Sequence, residues 1–200
     1  MTMTKIVHLL RHGHHALLSH VLCGRMPGIE LDELGRRQIA ACIGSIPRNV
    51  TAIQSSPQRR AQQSASILAW PLCIPVEIVP AFDEIDLGDW TGRSFVELDQ
   101  SPAWNVWNNQ RGTACPPHGE SMQCLQQRVV QHIEELRSEP AAGATLIVSH
   151  AEPIRAALLH YARIALDDFL AIAVDPASIS TLCFDATGAY ISRINQRVSV

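Results

Sequence analysis

The chain has 200 residues, 46% hydrophobic and 18% charged, with a formal net charge of −3. That is a chain of one domain's size, long enough to bury a core and too apolar to stay disordered. Sixteen Lys and Arg against nineteen Asp and Glu leave no broad basic face for nucleic acid, so an anionic ligand must be met by a few placed cations.

The N-terminal stretch "MTMTKIVHLL" has an apolar run that breaks at Arg11-His12, too soon for a secretory signal core. No stretch approaches the roughly eighteen apolar residues of a membrane span, so no membrane partner is expected. The cysteines at positions 23, 42, 73, 115, 124 and 183 are scattered without a C-x-x-C pair. They read as free thiols in a reducing cytoplasm rather than as a disulfide framework or a zinc ribbon.

In chain order, strand-length apolar runs occur at Lys5–Leu10, Val50–Gln54, Val76–Val79, Thr145–Val148 and Ile179–Phe184. The last is followed by a turn at Ala186-Thr187-Gly188 and a hairpin partner, "AYISRIN". Helical patterns lie between them. "LDELGRRQIAACIGSI" groups Leu34, Ile39, Cys42, Ile43 and Ile46 near one face, and "SPQRRAQQSASILAW" opens with Ser56 as N-cap and Pro57 at the first helical position. "GESMQCLQQRVVQHIEELRSE" carries a buried stripe of Met122, Leu125, Val129, Ile133 and Leu136. "AEPIRAALLHYARI" is a further helix with Pro153 tolerated in its first turn. Short strands without polar alternation, separated by helices, predict an α/β fold: a three-layer α/β/α sandwich with a mainly parallel central sheet and a C-terminal β-hairpin edge. A single domain over residues 1–200 is expected, with residues 93–117 as a lid or insert.

Ligands of such sheets collect at the carboxyl ends of the strands. There the runs end in "LLRHG", "QSSPQRR" and "IVSHAEP", which deliver Arg11, His12, Arg60 and His150 to one edge. Two guanidiniums and two imidazoles near helix N-termini form a site for a doubly charged anion. "AFDEIDLGDWTG" adds Asp83, Glu84, Asp86 and Asp89, any of which could serve as an acid toward a leaving alkoxide. Five of the nine histidines fall between residues 7 and 20, which raises the question of zinc. His8 is expected to face the other side of the sheet from its neighbours, and no Cys or carboxylate stands at ligand spacing, so no metal is expected. His14 and His15 are expected to line a rim or to be solvated.

The motifs "LLRHG", "SSPQRRAQQSA", "FDEIDLGDWTG", "HGES" and "VSHAEPIRA" resemble, in order and spacing, the histidine phosphatase superfamily, the phosphoglycerate-mutase-like proteins. The segment 24–38, "GRMPGIELDELGRRQ", is also similar, and the compact form resembles alpha-ribazole phosphatase. The resemblance implies that His12 is a nucleophile that becomes phosphorylated. It also implies that Arg11, Arg60 and a protonated His150 hold the phosphoryl oxygens, and that Glu84 is the proton donor. Arg60 is preferred to Arg59 because it lies three residues after the proline. No cofactor or metal is implied, and the partner is a small phosphate ester.

The chain departs from the pattern at His14-His15, where the family has an acidic residue and Ser or Thr, and at Leu18, where an Asn is common. After Ser149-His150 it reads Ala151-Glu152, so Glu152 either places negative charge at the pocket mouth or pairs with Arg155. Glu120 and Ser121 fit a helix cap. The expected substrate rim comprises His14, Arg25, Trp104, Trp107, Arg111 and Glu152, with Asn108 beside Arg111; the two tryptophans form a lid or pack onto the sheet. Only sixty-six positions separate Glu84 from His150, with few cations between them, which favours a phosphatase over a mutase. The remaining alternative is a catalytically silent binding protein of the same fold.

Overall fold

Lys5–Arg11 forms β1, and its apolar side chains divide between two cores. Val7 and Leu9 pack into one and Leu10 into the other, so the strand is dry on both faces and sits inside a covered sheet. The structure, a computed structural model, describes residues 5–139 and 143–199. Residues 1–4 of the stretch read for a signal core, and the ends of the expected 1–200 domain, lie outside the described residues.

Five more strands join β1: β2 (Val50–Ser55), β3 (Val76–Ile78), β4 (Ala144–Ser149), β5 (Ile179–Asp185) and β6 (Gly188–Gln196). Their order across the sheet is β3-β2-β4-β1-β5-β6. The first four run parallel, while β5 is antiparallel to β1 and pairs with β6 as the edge hairpin. The hairpin turn is tied by Asp185, whose Oδ1 accepts from Thr187 N at 2.7 Å.

The helices are α1 (Glu33–Cys42), α2 (Arg59–Leu72), α3 (Phe95–Leu98), α4 (Pro102–Asn109), α5 (Met122–Ser138) and α6 (Ala151–Ala162). α1 and α2 share a core with Leu10, Ile53 and Leu146; α5 and α6 share the opposite core with Val7, Leu9 and Ile147. This is the expected layered arrangement. The α5 stripe of Met122, Leu125, Val129, Ile133 and Leu136 is buried throughout, each side chain contributing about 2 kcal/mol of apolar burial.

Two local expectations fail. Leu34 is exposed, because Asp32 caps α1 and turns Gly35, Ile39 and Cys42 inward, leaving Leu34 about 100° off the buried stripe. Gly35 faces inward because the backbone of His14 lies against it: a Cβ there would sit 2.1 Å from the His14 carbonyl oxygen. The start of α1 is thereby clamped onto the loop after β1. The second failure concerns α2, which begins at Arg59 with Gln58 as its cap rather than Ser56. The Ser56 hydroxyl does accept from Gln58 N at 3.2 Å, but it also meets His150, which holds it outside the helix.

Candidate active site

The sheet register sets the site. Arg11, the last residue of β1, lies opposite Ser149, the last of β4, and Ser55 at the end of β2 lies opposite Val148. The residues that follow these strands, His12, His150 and Ser56, therefore emerge side by side, and α2 starts beside them with Arg60 in its first turn.

His12 is buried, and its backbone N–H donates to Ser149 O at 3.0 Å. Its Nδ1 lies 2.8 Å from Gly13 O, a carbonyl that can only accept, so Nδ1 carries the proton and Nε2 keeps its lone pair. Burial, then Arg60 and Arg11, hold His12 well below the usual imidazole range, so the ring is neutral. Arg60 Nε donates to His12 Nε2 at 3.3 Å, and Arg60 Nη2 is tied to Gly24 O at 2.8 Å. Arg59 points away, with its side chain exposed and paired with Glu30. Arg11 Nη1 is anchored on Val174 O at 2.7 Å.

The ring of His150 is 5.1 Å from that of His12. Its Nε2 lies 2.7 Å from Ser56 Oγ, which accepts from Gln58 N and has a second acceptor in Asp83 Oδ1 at 3.4 Å. That oxygen already takes two bonds at 2.8 Å, so the hydroxyl proton belongs to the shorter contact with Nε2 and Nδ1 carries the ring's own proton. Burial, with Arg60, His12 and Arg11 nearby, lowers its pKa well below the ordinary value, and the ring is neutral in this structure. It still offers a donor at Nδ1. Among the described residues, Arg11 Nε, Arg60 Nη1 and His150 Nδ1 are buried polar atoms without a hydrogen-bond partner. Unpaired buried donors on three side chains around one imidazole are costly unless a ligand satisfies them.

Glu84 stands next to this group, its Oε2 3.9 Å from His150 Nδ1. Burial, reinforced by Glu152 and opposed by Arg60 and Arg11, pushes its carboxyl up to about 7. Of the four acidic candidates it is the one in the cavity. Asp83 Oδ1 accepts from Glu84 N and from Gln58 Nε2, each at 2.8 Å. Asp86 caps the next turn by accepting from Gly88 N, and Asp89 pairs with His118 at the surface.

The cavity, about 230 Å³, is lined by Arg11, His12, Arg60 and Glu84 and, from the 93–117 segment, by Phe95, Trp104, Trp107 and Arg111. Trp104 and Trp107 of α4 both line it and pack, edge to face, on Trp90 at 5.4 and 6.1 Å. They are wall and core at once. Arg111 and Glu152 also line it and pair at 3.2 Å, and Arg155 bonds the other Glu152 oxygen at 2.6 Å, the expected spacing-of-three pair. Asn108 does not line the cavity; it accepts from Arg111 Nη2 at 2.9 Å.

Two expected rim residues are elsewhere. His14 pairs with Asp32 at the α1 cap, because the loop after β1 turns it toward that helix, and it does not line the cavity. Arg25 is drawn behind the acidic loop by Glu120 at 3.0 Å and Asp83 at 3.5 Å, and donates to Glu84 O at 2.8 Å. Glu120 is more than a cap neighbour: it also grips Arg128 at 2.7 Å, and Arg128 donates to Ala81 O, Asp83 O and Glu84 O.

Sequence reasoning missed Arg128, whose only sign was a cation bordering the α5 stripe. His15, expected either to line a rim or to be solvated, takes the first place and is buried against the cavity. The His15 ring is 5.4 Å from His12, lines the cavity, and has an unpartnered Nδ1. It brings a ring donor or acceptor to a site where Leu18 offers none. His8 bonds Thr181 Oγ1 at 3.0 Å inside the sheet and His20 is exposed, so the five clustered histidines split among four environments. Among the described residues no three His, Cys, Asp or Glu side chains gather as a metal site requires.

A parallel sheet whose strand ends present a neutral imidazole, two guanidiniums and a protonatable carboxyl defines an α/β protein with a pocket suited to an oxyanion. The chain belongs to the histidine phosphatase superfamily (branch 1), whose family description matches residues 7–197. It is 31% identical over 193 residues to the bifunctional protein Rv2228c of Mycobacterium tuberculosis, covering 93% of this chain and 52% of that protein. The chain thus spans about half the length of that relative. It is 35% identical over 97 residues to the adenosylcobalamin/alpha-ribazole phosphatase of Escherichia coli, 48% of each chain. The structure of a mycobacterial glucosyl-3-phosphoglycerate phosphatase superposes with a TM-score of 0.84 at 25% identity, over 96% of this chain and 99% of that one. These similarities show the family and the fold, and the named relatives include phosphatases. No helix among the described residues is long and apolar enough to cross a membrane.

Proposed function

We propose that the protein hydrolyses phosphomonoesters of small metabolites through a phosphohistidine on His12. The supporting observation is the Nε2 lone pair of His12, held by the Nδ1–H bond to Gly13 O and surrounded by buried, unpaired donors on Arg11, Arg60 and His150. In the first half-reaction His12 Nε2 forms a bond to phosphorus as the ester P–O bond breaks, and the alcohol leaves with the proton of Glu84. In the second, water attacks the phosphorus, gives a proton to the Glu84 carboxylate, and the P–N bond breaks to release inorganic phosphate and neutral His12. Fixed donors on Arg11, Arg60 and His150 spread the charge of the migrating group, so this route calls for no metal ion. The dianion itself draws His150 toward the protonated form.

Hydrolysis is preferred to mutase transfer because Arg111, the remaining cation lining the cavity, is committed to Glu152, which leaves little to retain a bisphosphorylated intermediate. On this reading residues 1–200 act as one domain with 93–117 as its lid. Six free cysteines suit a reducing cytoplasm. The test is p-nitrophenyl phosphate turnover in the presence of a chelator. Chelator-resistant turnover abolished by His12→Ala supports the reading. Turnover unaffected by that change overturns it, and efficient bisphosphate-dependent isomerisation of 3-phosphoglycerate favours a mutase.

A further inference from the structure

Resting on the hydrolase reading, the part of the cavity that the phosphoryl group leaves free has a chemistry of its own. Its lining includes the apolar side chains of Leu18, Val21, Leu22, Leu87, Phe95 and Trp104. The cavity volume, about 230 Å³, lies below the ~300–1,000 Å³ typical of drug-sized ligands, so the alcohol part of the ester is compact.

The charges complete the picture. Arg11 and Arg60 match a phosphate dianion. Arg111 is buried, its guanidinium lies over the rings of Trp107 and Phe169 at 4.6 and 3.9 Å, and both terminal nitrogens are spoken for. Nη1 faces Glu152 and Nη2 donates to Asn108, while Nε is buried without a hydrogen-bond partner, which leaves room for one neutral acceptor. Burial works to protonate Glu152, but Arg155 and Arg111 outweigh it and keep the carboxylate ionised. A second anionic group on the substrate would have to displace Glu152 from Arg111 while facing that carboxylate at short range.

We infer that the site takes monophosphate esters of compact, uncharged, apolar alcohols, aromatic or branched aliphatic, and turns away esters whose alcohol part carries a carboxylate or a second phosphate. Glu152 is the gate, because it occupies the cation that would otherwise welcome an acid.

The experiment compares kcat/KM for phenyl phosphate, isobutyl phosphate, phosphoserine and 3-phosphoglycerate. The first two are expected to exceed the acidic esters by at least about tenfold. Glu152→Gln frees Arg111 and is expected to narrow the gap, through a lower KM for 3-phosphoglycerate. Since Glu152 is buried between two arginines, Phe95→Ala provides an independent variant in the half-buried wall. It is expected to raise KM for phenyl phosphate severalfold and by more than it raises that for methyl phosphate. Equal or better turnover of the acidic esters by the unaltered protein, or a Phe95→Ala change that affects both esters alike, overturns the inference while the hydrolase reading stands. No turnover of any ester overturns both.

Discussion

Ser56 Oγ lies 2.7 Å from His150 Nε2, and this one contact turns the other ring nitrogen of His150 toward Glu84, 3.9 Å away. The hydroxyl accepts from Gln58 N and lies nearer to the imidazole than to Asp83 Oδ1, at 2.7 against 3.4 Å, so its proton goes to the imidazole and assigns the tautomer. Ser56 is therefore a positioning residue. Ser56→Ala is expected to lower kcat about 10-fold or more with a smaller change in KM, and Ser56→Thr to restore most of it. An equal loss in both variants, tracking the melting temperature, would mark a merely structural role.

Glu84 bears on both pH dependence and stability. Its folded pKa of about 7 is above the ordinary 4.5, so the folded chain binds the extra proton between those values. Stability from this group is accordingly highest at low pH and falls as pH rises from about 4.5 to about 7, a cost of about 3 kcal/mol at ~1.4 kcal/mol per unit. Glu84→Gln is expected to raise the melting temperature at pH 8 relative to the unaltered protein. The same change is expected to slow alkyl phosphate hydrolysis at least about 100-fold and p-nitrophenyl phosphate hydrolysis less, since a good leaving group needs little acid. Equal losses with both esters would remove Glu84 from the acid role.

The buried histidines act in the opposite sense. His8 and His15 are lowered to about 4, chiefly by burial, and burial also holds His12 and His150 well below the ordinary imidazole value. The unfolded chain binds more protons below about 6.5, so stability is present above that pH and lost as pH falls toward 4. Thermal unfolding is expected at markedly lower temperature at pH 5 than at pH 7. The difference should shrink in His15→Gln and with inorganic phosphate bound, which favours protonated rings. A flat profile between pH 5 and 7 would contradict the burial of these rings.

Glu120 tests the brace behind the acid loop. Its carboxylate holds Arg25 at 3.0 Å and Arg128 at 2.7 Å, and both arginines donate to the carbonyl of Glu84. Glu120→Gln is expected to cost about 1–3 kcal/mol of stability. It is also expected to move the pH limb assigned to Glu84, which a purely structural loss would leave in place.

How much of this was legible in the sequence depends on the reach of each contact. Arg11, His12 and His150 follow apolar runs directly, so their place at the strand ends could be read from periodicity, and the layered fold with them. The hairpin turn and the α5 stripe are local patterns and were equally readable. Ser56 was read as a helix cap because its decisive partner, His150, is 94 residues away. Arg128 reaches Ala81 across 47 residues, and Arg25 reaches Glu120 across 95, so neither role has a local trace. His14 and His15 look alike in sequence, yet the close approach of Gly13 and Gly35 directs one to Asp32 and the other into the cavity. The neutrality of His150 required knowledge of its burial, which no motif carries.

The most direct test of a phosphohistidine on His12 is to mix the protein with a rapidly turned-over ester, quench in alkali within one turnover, and map the phosphoryl group by mass spectrometry. The account predicts a stoichiometric, acid-labile, base-stable phosphoryl group on His12, absent in His12→Ala and longer-lived in Glu84→Gln. Turnover without any phosphorylated protein, or with the label on another side chain, would contradict it.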